Sequence, residues 1–189
     1  MATILDSREA RVYREAAVAF CALVENRREH PAPEWLKEVH LLLPRLYAAA
    51  LALPRVEPDT ESPGEREVTH DNWQALYTDL ADRLGRWGSY FDVCDPYDEA
   101  NHEPVRMSLA DDLADIYRDV KSGLLAEQSV TAARPNDVLW TWRFEFESHW
   151  AAHAARALRA LQTALLVHYA EHAPETFRAR PAGGEPDSG

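Results

Sequence analysis

The chain has 189 residues carrying 20 Lys and Arg against 32 Asp and Glu, a formal net charge of −12; that balance argues against direct nucleic-acid contact, which draws on clustered basic side chains. One domain's length, 46% hydrophobic residues and 30 Ala and 21 Leu against 2 Ile and 7 Gly exclude a mostly disordered chain and favour helices over sheets. The longest apolar run, Leu46 to Leu53, is far short of the roughly 20 residues that cross a bilayer, and the opening MATILDSREAR lacks the basic and apolar stretches of a secretion signal, so a cytoplasmic protein without membrane contact is expected.

Asp6-x-x-Glu9 resembles a capping box, and Val12, Ala16, Phe20, Leu23 and Val24 predict a first helix up to a break at Asn26 to Pro31. Pro33 stands where a proline opens a helix, and Trp35, Val39, Leu42, Leu43, Leu46, Ala49, Ala50 and Leu53 mark a second one that Pro44 is expected to kink or split. Residues 54 to 68, rich in proline and acids, read as a solvated loop. A third helix is predicted from Thr69 to about Trp87, with Trp73, Leu76, Tyr77, Leu80 and Leu84 on one side. Residues 88 to 107 show no sustained period, and the bulk of Tyr90, Phe91, Val93 and Tyr97 points to an ordered loop. Ser108-x-x-Asp111 opens a fourth helix, for which Gly123 is a stop unless Leu124 and Leu125 carry it further. Pro135-Asn136-Asp137 starts a last block without proline or glycine from Val138 to Ala173, either one long helix or two with an unmarked break. The expectation is a single all-α domain over residues 1–173, a bundle of five or six helices around that last block, followed by a disordered tail over 174–189. Cys21 and Cys94 stand at no ligand spacing and read as small buried hydrophobes.

The acids are concentrated. Nine of them lie between Asp92 and Asp119, against Arg106 and Arg118 alone. On a helical wheel Leu109, Leu113, Ile116, Tyr117, Val120 and Leu124 share one face of the fourth helix, and Asp111, Asp112, Asp115 and Asp119 fall together opposite. Asp111 and Asp112 complement the helix dipole, but Asp115 and Asp119 lie too far along for that, and like charges one turn apart oppose the helix. Three readings compete: a solvated face; a stripe covered by a basic surface, either Arg143, Arg156 and Arg159 of the last block or a partner protein; and a divalent-metal site, since Asp111-Asp112-x-x-Asp115 has the spacing with which helical prenyl-transfer enzymes hold Mg²⁺ and a pyrophosphate, although their second acidic motif is absent here. The loop Asp95-Pro96-Tyr97-Asp98-Glu99 fails the EF-hand pattern and reads as an Asp-Pro turn with side-chain capping.

In the last block Leu139, Trp142, Phe146, Trp150 and Ala157 share one face while Trp140, Phe144 and Ala151 lie nearly opposite, so the block is buried on both sides, the favoured reading, or one face is a binding surface. Glu145, His149 and His153 follow at i, i+4 and i+8. Two histidines one turn apart can bind zinc, but without the glutamate of H-E-x-x-H the favoured reading is imidazoles hydrogen-bonded to Glu145 or placed at the core's edge.

The segments FCALVE, LPRLYAAALALP, FDVCDPYDE, SLADDLADIYRDVKSGL and LWTWRFEFESHW, the last followed by AARALRALQTAL, together resemble a bacterial family of small, all-helical cytosolic proteins described as a domain of unknown function. The resemblance covers about residues 14–172, departs at Trp150-Ala151 where a glycine would follow the tryptophan, and implies a helical fold but no activity, cofactor or catalytic residue. With no activated Ser or Cys nucleophile and no glycine-rich phosphate loop, the leading expectation is a non-enzymatic binding or adaptor module without a cofactor. It would offer Asp95, Tyr97, Asp98, Asp112, Asp115 and Asp119 to a basic protein partner. The alternative is a Mg²⁺- or Mn²⁺-dependent enzyme acting on a phosphate or pyrophosphate ester, with Asp111, Asp112 and Asp115 as ligands and Arg143 holding the phosphate.

Overall fold

The structure, a computed structural model, describes residues 3–61, 68–95, 97–129 and 134–172; the expected tail from 174, residues 62–67 of the acidic loop, Pro96 and residues 130–133 lie outside them. A 3-10 turn over Ile4–Asp6 leads into helix α1 (Arg8–Glu25). The cap of α1 is Ser7, whose hydroxyl accepts from the Ala10 N–H at 3.2 Å, rather than Asp6; Asp6 serves the short turn, its carboxylate accepting from the Thr3 N–H at 2.6 Å. Helix α2 (Ala32–Leu51) runs unbroken through Pro44. That proline forfeits one backbone hydrogen bond, but Trp35, Val39, Leu43, Leu46 and Ala50 form a fully buried stripe on both sides of it, and packing of that stripe holds the helix together. The indole N–H of Trp35 donates to the Leu23 carbonyl at 3.0 Å, locking α2 onto α1.

Helix α3 (His70–Leu84) is capped by Thr69, and Gly85, at φ +51°, turns the chain out of it into a 3-10 segment over Gly85–Gly88. Where an ordered loop is expected, strands β1 (Ser89–Asp92) and β2 (Val105–Ser108) form an antiparallel hairpin with Ser89 opposite Ser108 and Asp92 opposite Val105. Four residues per strand are too few for a readable alternation. Ser108 ends β2 and caps helix α4 (Leu109–Ser129), accepting from the Asp111 N–H at 3.2 Å, and α4 continues straight past Gly123.

The last block is helical throughout: α5 (Pro135–Glu145), one π-helical turn over Phe146–Trp150, and α6 (Ala151–His172). Counted separately these make six α-helices among the described residues; counted as one rod, five. The domain is all-α apart from the hairpin. Its central element is α4, which packs against α1, α3, α5 and α6, rather than the last block. Around it Phe20, Trp35, Leu43, Leu113, Ile116, Trp142 and Trp150 are sealed from solvent. The second aromatic face of the last block is not buried as expected: Trp140 and Phe144 stack with ring centroids 4.6 Å apart, and Phe144 is exposed. Nor is the 54–68 loop merely solvated, because buried Asp137 of α5 accepts from the backbone N–H groups of Asp59 at 2.6 Å and Thr60 at 3.1 Å. Cys21 is buried, which pushes its thiol up to about 12, whereas Cys94 is exposed. No described helix is long and apolar enough to cross a membrane.

Candidate metal centre

The sequence places Asp112, Asp115 and Asp119 at i, i+3 and i+7, one face over two turns of α4. That face is not solvated. The three carboxylates are 3%, 8% and 8% exposed, and Asp111 at the edge is half-buried. The last block covers them, running antiparallel so that His153 meets the N-terminal end of the stripe and His149 its C-terminal end.

Each imidazole is anchored through Nδ1. His153 Nδ1 lies 2.8 Å from Asp112 Oδ1, and His149 Nδ1 lies 2.5 Å from Asp119 Oδ2. An ionised carboxylate oxygen only accepts, so these two contacts favour a proton on each Nδ1, which in a neutral ring leaves Nε2 as the acceptor; the Arg156 guanidinium stands 3.2 Å from His153 Nδ1 as well. His153 Nε2 lies 3.7 Å from Asp115 Oδ2. With His149 these residues form a group in which one ligand atom of each lies within 4.8 Å of the others. The rings of His149 and His153 are 4.8 Å apart between centroids.

The surrounding groups fix this arrangement. Asp112 Oδ2 accepts from the Tyr90 hydroxyl of β1 at 2.5 Å, and burial followed by that bond pushes the Tyr90 phenol well above its ordinary value. Arg156 Nη2 stands 3.6 Å from Asp112 Oδ1. Arg118 Nη2 lies 2.9 Å from Asp115 Oδ1 and its Nε 3.5 Å from Asp119 Oδ1, with the guanidinium over the face of Trp73 at 5.7 Å. Burial raises the Asp119 carboxyl above its usual range, and His149 and Arg118 pull it back only in part. Asp111 is raised too, by burial and then by the neighbouring Asp115 charge. The cluster holds more negative than positive charge.

The other sequence candidates lie elsewhere. Arg143 binds the Leu53 carbonyl and Glu147 rather than the stripe, and Arg159 reaches Asp92 of the hairpin at 2.5 Å. Asp95, Tyr97 and Asp98 sit on the hairpin's loop; Tyr97 is 91% exposed, and the two aspartates accept from the N–H groups of Tyr97 and Ala100, each at 2.9 Å, in side-chain-capped turns. The loop and the helix aspartates therefore do not form one open acidic surface. Sequence reasoning treated the stripe and the histidines as separate features and did not single out Tyr90 or Arg118. The available signal was that two residue ladders, 112-115-119 and 149-153, could face each other.

Architecture and site together describe an all-helical protein whose central helix turns a carboxylate stripe toward a histidine pair. The chain belongs to the family described as Domain of unknown function (DUF5063), whose model matches residues 6–168. It is similar in fold to the crystal structure of protein BF1032 from Bacteroides fragilis, with a TM-score of 0.73 and 24% identity over 94% of this chain and 99% of that one. No curated protein matches it.

Proposed function

We infer that the protein binds one divalent transition-metal ion between α4 and the last block, through Asp115, His149 and His153. The observation that carries this reading is the pair of carboxylate-anchored imidazoles: Asp112 and Asp119 hold the Nδ1 atoms, His153 Nε2 lies 3.7 Å from Asp115 Oδ2, and one ligand atom from each of Asp115, His149 and His153 falls within a single 4.8 Å group. Carboxylate–histidine–metal chains of this kind orient ligands and raise their basicity. In a tetrahedral site, bonds of about 2.0–2.2 Å set ligand atoms about 3.3–3.6 Å apart, so the widest separation in the group, up to 4.8 Å, would close by about 1 Å through side-chain rotation as the ion binds. Two imidazoles and one carboxylate favour zinc, manganese or iron over magnesium, and three protein ligands leave coordination positions open for a water or substrate, the arrangement of catalytic rather than structural sites.

This regroups the acids of the Asp-Asp-x-x-Asp spacing. Asp115 becomes the ligand, Asp112 the anchor of His153, and Asp111 a peripheral charge. An adaptor for a basic partner would find only Asp95 and Tyr97 of these residues exposed, with Asp98 half-buried in its turn, because the helix aspartates are engaged inside the fold.

Titration of the metal-free protein with Zn²⁺ and Mn²⁺, followed by calorimetry and thermal unfolding, tests the reading. The expected result is one ion per chain and, at about 100-fold over Kd, roughly 2.7 kcal/mol of added stability. Asp115→Asn and His149→Ala should abolish both effects while still folding. Equal responses in the wild type and both variants, or no response in any, would overturn it.

A further inference from the structure

A pocket of about 310 Å³ opens beside the cluster, lined by Val68, His70, Arg118, Asp119, Ser122 and Glu145. It shares Asp119, the anchor of His149, and Arg118, the partner of Asp115, with the candidate centre. It is therefore one wall away from the proposed ion, in the size range of small-molecule sites. Its donors are the Arg118 guanidinium, the His70 ring and the Ser122 hydroxyl, set against the carboxylates of Asp119 and Glu145.

Arg118 stands out among them. It is one-third exposed, its guanidinium is steadied by the Trp73 face, and both of its contacts are to carboxylates of the cluster, at 2.9 and 3.5 Å. Charge decides when it can do something else. With neutral imidazoles, Asp111, Asp112, Asp115, Asp119 and the pocket's own Glu145 against Arg118 and Arg156 leave a formal −3, which repels anions and holds the guanidinium on Asp115. A divalent ion brings that to −1 and, bound through Asp115 Oδ2 on the His153 side, weakens the hold of this carboxylate on the guanidinium at Oδ1, which then has donors to offer the pocket. Planar guanidinium donors match phosphate and carboxylate oxygens bidentately.

We propose that this pocket is the substrate subsite of the metal centre, and that Arg118 binds an oxyanion group of the substrate there, a phosphate ester or a carboxylate, only after the ion is in place. The proposal rests on the metal reading above. Arg118 is then a binding residue, and ion and anion bind with positive coupling, since each weakens the contact that holds the other back.

The test loads the wild type, Arg118→Gln and Arg118→Lys with Mn²⁺ and follows saturable paramagnetic broadening of inorganic phosphate by ³¹P NMR. A parallel arm uses ¹³C-labelled acetate. In the wild type one of the two anions should bind the Mn²⁺ form at least ten-fold more tightly than the metal-free protein, and which one does identifies the oxyanion. Arg118→Gln should bind Mn²⁺ as tightly as the wild type or more so, because a competing cation is gone, yet lose at least ten-fold in anion affinity; Arg118→Lys should recover part of it. A merely structural role for Arg118 would weaken both ligands together. Tight Mn²⁺ binding with no anion binding, or with the same anion affinity in Arg118→Gln, overturns the subsite and leaves the metal centre standing. Failure of the wild type to bind Mn²⁺ or Zn²⁺ overturns both.

Discussion

At position 123 a side chain has nowhere to go. A Cβ there would lie 2.6 Å from Cδ1 and 3.0 Å from Nε1 of Trp142, where contacting heavy atoms need about 3.5–4.0 Å. The indole cannot retreat, being 1% exposed and in ring contact with Tyr13 at 4.8 Å between centroids. Glycine in mid-helix is thus the condition for α5 to approach α4 closely. Alanine would gain about 1 kcal/mol of helix propensity, but overpacking a sealed core costs about 1–3 kcal/mol and the strain here is nearly direct overlap. Gly123→Ala is therefore expected to lower stability by about 1–2 kcal/mol in urea unfolding. Gly88→Ala, whose Cβ would meet Leu84 Cβ at an ordinary 3.6 Å, should change it by less than about 0.5 kcal/mol. Asp137 makes a second residue-scale case: its carboxylate holds two backbone N–H groups and the Thr60 hydroxyl at 2.8 Å. Asp137→Ala strands those donors, so a loss of about 1–3 kcal/mol is expected by the same measurement.

At the scale of elements, the last block shows what spacing alone can reveal. Its buried positions Trp142, Phe146, Trp150, Ala154, Ala157 and Leu161 take nineteen residues over five turns, whereas a regular α-helix uses about 18. The π turn over Phe146–Trp150 absorbs the extra residue, and Ser148, exposed and donating to the Phe144 carbonyl at 2.6 Å, sits within it. Deleting Ser148 should heal the turn and keep both flanks in register, with a loss of no more than about 2 kcal/mol. Deleting Ala155, in regular helix, should misplace one flank and remove most of a typical 5–15 kcal/mol stability; melting of the two variants by circular dichroism makes the comparison. The sequence leaves open whether the block is one helix or two, because these positions still share one broad face at regular spacing, whereas the helices themselves were legible because each buries a stripe at helical period. The carboxylate stripe was legible as a set but not in its meaning. A wheel gives solvent to any face without apolar residues, and the helix that covers Asp112 and Asp119 comes from 41 and 30 residues away. The hairpin escaped for a related reason: its strands are too short to show a period, and what fixes them is Tyr90 reaching Asp112 and Arg159 reaching Asp92, contacts that no local pattern encodes.

For the molecule as a whole, an excess of acid of −12 means that pH acts on the fold chiefly through carboxylates, and their signs differ by place. Asp79 of α3 is the joint between that helix and the link from α1 to α2, where it accepts from both Arg27 and Arg28. Burial alone would raise its carboxyl, but the hydrogen bonds and charges of Arg28 and Arg27 outweigh this and hold it below the ordinary 3.8. A carboxyl lowered in the folded state binds its proton more readily when unfolded. Its contribution to stability is then fully present above the unfolded value and is lost as pH falls through the lower folded one. Asp79→Asn removes that contribution. The stability difference between wild type and variant, from urea unfolding at a series of pH values, should be constant from about pH 7 down to about 5 and shrink steadily below the ordinary 3.8. Comparison at each pH cancels the titration of the other acids, so a difference that stayed flat down to pH 3 would mean that Asp79 holds α3 by hydrogen bonds that survive protonation, not by its charge.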